Sequence, residues 1–196
     1  MPITRRALLT SVLFAGFAPS FRALALEGEP FPVSESEART VSYKFRRREM
    51  EYKTQEPAGT IVVEPRNRFL YHVLGGGQAT RYGVSVGKSS MAWSGEAQIK
   101  RMAKWPVWVP APYHLAAMPS LAKYINGMPG GPDNPMGARA MYLYQGEVDT
   151  INRIHGGATP AQIGSKKTAG CIGMLNIDII HLYDRVEIGT RVVMLG

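Results

Sequence analysis

The sequence predicts a mainly β fold with short helices, and three observations carry that expectation. Glycine and proline punctuate the whole chain, 21 and 14 of them in 196 residues, which suits many short strands and turns better than a bundle of long helices. The apolar runs are short and bounded by Pro, Asn or Gly, the pattern of antiparallel strands. A composition of 45% hydrophobic and 19% charged residues suffices for one well-buried domain, with or without an arm, but not for two full domains.

Residues 1–25 carry Arg5, Arg6 and Arg22, no acid, and an apolar stretch from Ala7 to Ala18. That stretch is short of the roughly 20 apolar residues that span a bilayer. It reads as an export signal, with Ala23-Leu24-Ala25 as the small-x-small pattern for cleavage after Ala25. Thr4-Arg5-Arg6-Ala7-Leu8-Leu9 resembles the twin-arginine type, with a Sec signal as the alternative. No cysteine follows the apolar run, which excludes lipidation at a lipobox. No stable membrane span is expected after cleavage. The formal charge of +8 then falls to +5, from 20 basic and 15 acidic residues. A basic surface suits nucleic acid, anionic lipid or an anionic wall polymer, and export argues against nucleic acid.

Residues 26–56 are polar, with no regular apolar period, and read as an arm or linker. Within them Arg46-Arg47-Arg48 precedes Glu49 and Glu51, the mark of a solvated face. Residues 57–196 form the expected domain. Strands are expected at Thr60–Val63, Arg68–Leu74 and Arg81–Val86, with Gly75-Gly76-Gly77 as a hairpin turn rather than a phosphate loop. From Trp93 to Met136 the chain is irregular, with one short helix expected over Met118–Ile125. So long a loop-rich insertion in a compact domain points to a binding cleft. Its tryptophans, Trp93, Trp105 and Trp108, suit either a groove or ordinary core packing. Strands resume at Ala140–Tyr144 and Asp149–Ile154, so His155 emerges at a strand end. Asn176 is then expected to cap a helix carrying Ile177, Ile180 and Leu182, before a last strand, Arg191–Leu195.

Cys171 is the chain's one cysteine. In an exported chain it has no internal disulfide partner and is either inert packing or a nucleophile. Gly170 before it permits a positive φ or a close backbone approach, and His155, followed by Gly156, offers an imidazole to take the thiol proton. Backbone amides from Gly170 to Ile172 are candidates for stabilising an oxyanion, and a nearby helix start is expected to favour a thiolate. His72, His114 and His181 read as surface or packing residues, and Asn176 and Asp178 as residues of a helix start. No metal-ligand spacing is present and no cofactor is expected.

The wider pattern is His155-Gly156, Ile163-Gly164, and Thr168-Ala169-Gly170-Cys171-Ile172-x-Met174-x-Asn176-x-Asp178, followed by Gly189-Thr190. Upstream stand Gly59-Thr60-Ile61-Val62-Val63, Tyr82-Gly83-Val84-x-Val86-Gly87 and Asn134-Pro135-Met136-Gly137-x-Arg139-Ala140. Together these resemble the L,D-transpeptidase family, also called the YkuD domain, over residues 57–195. The resemblance implies a sandwich-like β domain and a periplasmic enzyme of the bacterial wall. Cys171 would attack the carbonyl between the third residue and the terminal D-alanine of a peptidoglycan tetrapeptide stem, with His155 as base and then acid. The acyl group would pass to a second stem as a 3-3 cross-link, to a lysine of an envelope protein, or to water. Gly156, Thr168, Gly173 and Arg139 would lie at the substrate, and no cofactor or metal is implied. Two positions depart from the family's common pattern: Thr168 stands where Ser is usual, and Gly173 where Arg is usual. A guanidinium at 173 could hold a carboxylate or brace a loop, and glycine can do neither. A non-catalytic wall-binding protein of the same fold is therefore the competing expectation.

Overall fold

A computed structural model describes Leu26 and residues 28–87, 94–168 and 170–196. The expected export signal, Trp93 and Ala169 lie outside the described residues. The strands are β1 (Arg48–Glu51), β2 (Ile61–Glu64), β3 (Phe69–Gly75), β4 (Gln78–Gly83), β5 (Val86–Gly87), β6 (Gly95–Lys104), β7 (Arg139–Gln145), β8 (Val148–His155), β9 (Lys166–Thr168), β10 (Ile172–Gly173) and β11 (Arg191–Met194). Three short helices accompany them: α1 (Ser36–Thr40), α2 (Pro112–Ala117) and α3 (Asn176–Tyr183).

Nine strands form one sheet in the order β1-β4-β3-β2-β11-β6-β7-β8-β10, and β5 pairs with β9 in a small parallel ribbon. Neighbours in the large sheet are antiparallel except β2 with β11 and β8 with β10. The sheet curls over on itself, because a single core takes side chains from both of its halves. Leu70 and Tyr82 come from one half, Met141, Ile154 and Ile172 from the other, and Ile179 and Leu182 from α3. Ser85, just after β4, exchanges both backbone hydrogen bonds with Gly173 of β10 at 2.8 Å. That bridge ties the two halves together and gives the sandwich-like form.

The β3–β4 hairpin turns at Gly75, Gly76 and Gly77, all at positive φ, which side-chain-bearing residues enter only at a cost. Helix α3 is buried on both sides: Ile179 and Leu182 face the main core, while Ile177 and Ile180 face a second one with Val33, Val41 and Leu175. Val33 and Val41 belong to the polar N-terminal arm. The arm is thus a packed arm rather than a free linker, and it adds β1 to the sheet edge, paired antiparallel with β4. Arg47, expected on a solvated face, instead pairs with buried Asp178 at 3.1 Å.

Two expectations for the irregular region change. Ten residues of it form β6, set between β11 and β7. Only Ala97 and Ile99 of β6 are buried, so its sequence reads as polar. The helix expected over Met118–Ile125 is a 3-10 turn, Pro119–Tyr124, and the α-helix precedes it as α2.

Candidate active site

A cleft of about 730 Å³ opens between the sheet and the loop that follows β6. Val107, Trp108, Val109, Tyr113 and His114 form one wall. Arg101, Tyr142 and Arg153, from β6, β7 and β8, form the other, and His155, Thr168 and Cys171 are also exposed to the cleft. Asn134 holds the loop wall in place: its side-chain amide donates to the carbonyls of Pro106, Met128 and Pro129, each at 3.0 Å, and its oxygen accepts the Met136 N–H at 2.9 Å. Of the tryptophans, Trp108 lines the cleft, while Trp105 packs edge-on against Phe31 of the arm.

The pairing of β8 with β10 sets His155 and Cys171 at the same cleft, with no hydrogen bond between their side chains among the described residues. Ile172 lies opposite Ile154 and Gly173 opposite His155, so the cysteine falls beside Arg153, one step back along the ladder. The His155 Nδ1 lies 2.7 Å from the Gly156 carbonyl. A carbonyl only accepts, so Nδ1 carries the proton and Nε2 keeps the lone pair that a base needs. Burial holds this imidazole below its usual range, against hydrogen bonds to the carbonyls of Gly156 and Pro135 that pull the other way. Its charged form is disfavoured.

Cys171 is half-buried. Its Sγ lies 4.0 Å from the Ile151 carbonyl, to which the thiol donates. Burial raises the thiol above its usual value, and the Arg153 N–H and guanidinium oppose that shift. Burial thus works against the expected thiolate. Helix α3 starts only at Asn176, with β10 between it and Cys171 along the chain.

Gly170 has φ +128, and β5 packs so tightly on it that a Cβ on Gly87 would lie 2.7 Å from its backbone. The Thr168 hydroxyl donates to the Cys171 carbonyl, bracing the cysteine loop from inside. Gly156 packs against the Asn176 side chain, whose oxygen accepts the N–H groups of Ala138 and Gly157 at 2.9 Å. Asn176 is thus a brace behind His155 rather than the helix cap, which is Leu175. The Gly173 N–H is already donated to Ser85. A Cβ at 173 would meet only ordinary contacts at 3.6–3.8 Å, so no crowding requires glycine there.

Arg139 is not at the cleft. Its side chain is 3% exposed and pairs with Glu29 of the arm, so it pins that arm instead of meeting a ligand there. The other histidines serve packing: the Tyr82 hydroxyl and His181 Nδ1 share a hydrogen bond of 2.8 Å, with His181 pushed down to about 4 by burial. His72 is buried among strands, and His114 at the cleft rim accepts the Ala111 N–H.

Sequence reasoning missed Arg101, Tyr142, Arg153 and the strained Ile151. Ile151 sits at φ +62, an uncommon conformation for a β-branched residue, with its N–H donated to Asp149 at 2.8 Å. The Asp two positions before it was a readable sign of such a turn.

Residues 58–194 match the L,D-transpeptidase catalytic domain family, YkuD. The chain belongs to that family. A relative from Salmonella typhimurium, named Probable L,D-transpeptidase ErfK/SrfK, is 34% identical over an alignment of 139 residues, and the match covers 68% of this chain and 43% of that protein. This L,D-transpeptidase chain therefore spans under half the length of that relative. A crystal structure from Brucella melitensis, described as a probable carnitine operon oxidoreductase caia, is 43% identical with a TM-score of 0.54, covering 82% of this chain and all of that one. An Enterococcus faecium L,D-transpeptidase mutant is 14% identical with a TM-score of 0.51, covering 71% of this chain and 50% of that one, a likeness of fold alone.

Proposed function

We propose that this chain is a periplasmic cysteine L,D-transpeptidase acting on peptidoglycan tetrapeptide stems, with residues 1–25 as export signal, 26–56 as arm and 57–196 as catalytic domain. The observation that carries the reading is that the chain's one thiol and a Nδ1-protonated imidazole open onto the same cleft. The Cys171 sulfur attacks the carbonyl before the terminal D-alanine while its proton passes to His155 Nε2. Collapse of the tetrahedral intermediate breaks the C–N bond, and His155 returns the proton to the departing D-alanine amine. A thioester remains. An acceptor amine attacks it, gives a proton to His155, and releases the thiol with a new amide bond. Amides of Gly170 and Ile172 are the candidate oxyanion donors. A mature chain beginning at Leu26 keeps every arm contact described above.

The acceptor is a second stem, giving a 3-3 cross-link, with an envelope-protein lysine or water as alternatives. Incubation with a carbapenem followed by intact-mass measurement should give a covalent adduct that maps to Cys171 and disappears in Cys171→Ala. Muropeptide analysis with tetrapeptide wall should show D-alanine release, and the products separate transfer from hydrolysis. Binding to wall with neither adduct nor release would instead establish a non-catalytic wall-binding protein.

A further inference from the structure

One surface of the cleft has a use that the chemistry at the sulfur does not account for. Arg101 lies opposite Tyr142 across β6 and β7, and Tyr142 lies opposite Arg153 across β7 and β8. Both guanidiniums stack on the same phenol ring, with their carbons 4.4 and 4.5 Å from its centroid. Because Cys171 falls beside Arg153 on the next strand, the three side chains form a row that leads away from the sulfur along the cleft wall.

The two arginines are not equivalent. Arg153 is held by Asp149 through a two-pronged ion pair at 2.6 and 2.8 Å, which fixes its plane and offsets its charge. Arg101 is exposed and has no carboxylate within ion-pair distance among the described residues. Among the described residues, no Asp or Glu lines the cleft. An uncompensated guanidinium, pre-ordered on an aromatic face in a cleft without acids, is suited to a carboxylate.

We infer that the Arg101–Tyr142–Arg153 row is a subsite for an internal carboxylate of the donor peptide, with Arg101 as its main ligand. This rests on the reading of the cleft as a peptide site. The Tyr142 strand lies two ladder spacings from the cysteine strand, roughly 10 Å, and Arg101, one strand further on, reaches the face of Tyr142 with its guanidinium. The terminal carboxylate, bonded one residue past the attacked carbonyl, is too close to the sulfur to reach that position. The row thus supplies within the cleft the guanidinium that Gly173 lacks.

The test is calorimetric binding to Cys171→Ala protein, in which the peptide stays uncleaved. The probes are a tetrapeptide stem with free carboxylates, one amidated at its internal carboxylates, and one amidated only at its C-terminus. Internal amidation should weaken binding about tenfold or more, the scale of a lost charge-assisted hydrogen bond. Arg101→Met, which keeps an apolar stem over Tyr142, should erase that difference, and Arg101→Lys should restore part of it. Equal affinity for the free and internally amidated stems, or discrimination that survives Arg101→Met, would overturn the subsite. So would sensitivity to C-terminal amidation alone. Because binding is read without turnover, failure of the carbapenem adduct would sink the transferase reading while leaving this result to stand or fall separately.

Discussion

Burial acts on both reacting groups in the same sense. It raises the Cys171 thiol and lowers the His155 imidazole, so each favours its uncharged form at neutral pH. Proton transfer then accompanies attack instead of preceding it, and the Nδ1 hydrogen bond to Gly156 matters because it leaves Nε2 free to accept. Alkylation of Cys171 by iodoacetamide should consequently climb with pH and inflect above the ordinary thiol range, with no plateau near pH 6. A plateau below pH 7 would mean that an imidazolium–thiolate pair exists. His155→Ala should cost donor turnover about 10² to 10⁴ in rate. The sequence made Cys171 and His155 legible because a lone thiol in a glycine-bounded loop and a histidine at a strand end are local features. Arg153 and Arg101 were not legible: they meet only through the register of three strands, and no spacing along the chain encodes that register.

Among the elements, the short β5–β9 ribbon has an influence out of proportion to its size. Gly87 of β5 lies against Gly170, where a Cβ would come within 2.7 Å of backbone atoms that have no flexible end to move aside. Gly87→Ala must displace the residue preceding the cysteine, at a cost of about 1–3 kcal/mol. A displacement of an ångström at the nucleophile can lower rate about 10²-fold. Gly173→Ala meets only ordinary contacts and should leave the melting temperature nearly unchanged. Thermal melts and carbapenem acylation rates of the two variants would check this contrast, and equal behaviour would contradict it. Elements bounded by Gly and Pro, such as the β3–β4 hairpin, were readable from the sequence because their apolar faces repeat locally. Strand β6 was hidden by its exposed Glu96, Gln98 and Arg101, since its burial is decided by β11 and β7 on either side. Helix α3 was readable in place but not in capping, because the Asn176 side chain turns back to Ala138 and Gly157.

At the scale of the molecule, the arm is joined to the domain by the β1–β4 pairing, by ion pairs of Arg47 with Asp178 and of Glu29 with Arg139, and by an apolar strip. Glu29 accepts from both terminal nitrogens of Arg139 and from the Trp105 indole at 2.7 Å, while Leu26, Val33, Val41 and Phe45 pack with α3 and Ala138. Trp105 immediately precedes the wall of the cleft, so the arm steadies the wall at its root. Removing the carboxylate charge leaves Arg139 buried without compensation, which costs about 3–5 kcal/mol. For a chain of this length, Glu29→Gln should lower the melting temperature by roughly 6–20 °C at pH 7. The hydrogen bond from Arg139, the largest influence, holds the Glu29 carboxyl below its usual value. An acid whose folded-state value is depressed stabilises the fold above its unfolded value and loses that contribution as pH falls through the folded one. The gap between wild type and Glu29→Gln should therefore be full at pH 7 and close progressively as pH falls below 4.5, the unperturbed value. Melting curves of both proteins between pH 7 and pH 3 decide the matter: coincident curves at pH 7, or a gap that does not narrow with acid, would show that the Glu29–Arg139 pair does not stabilise the fold.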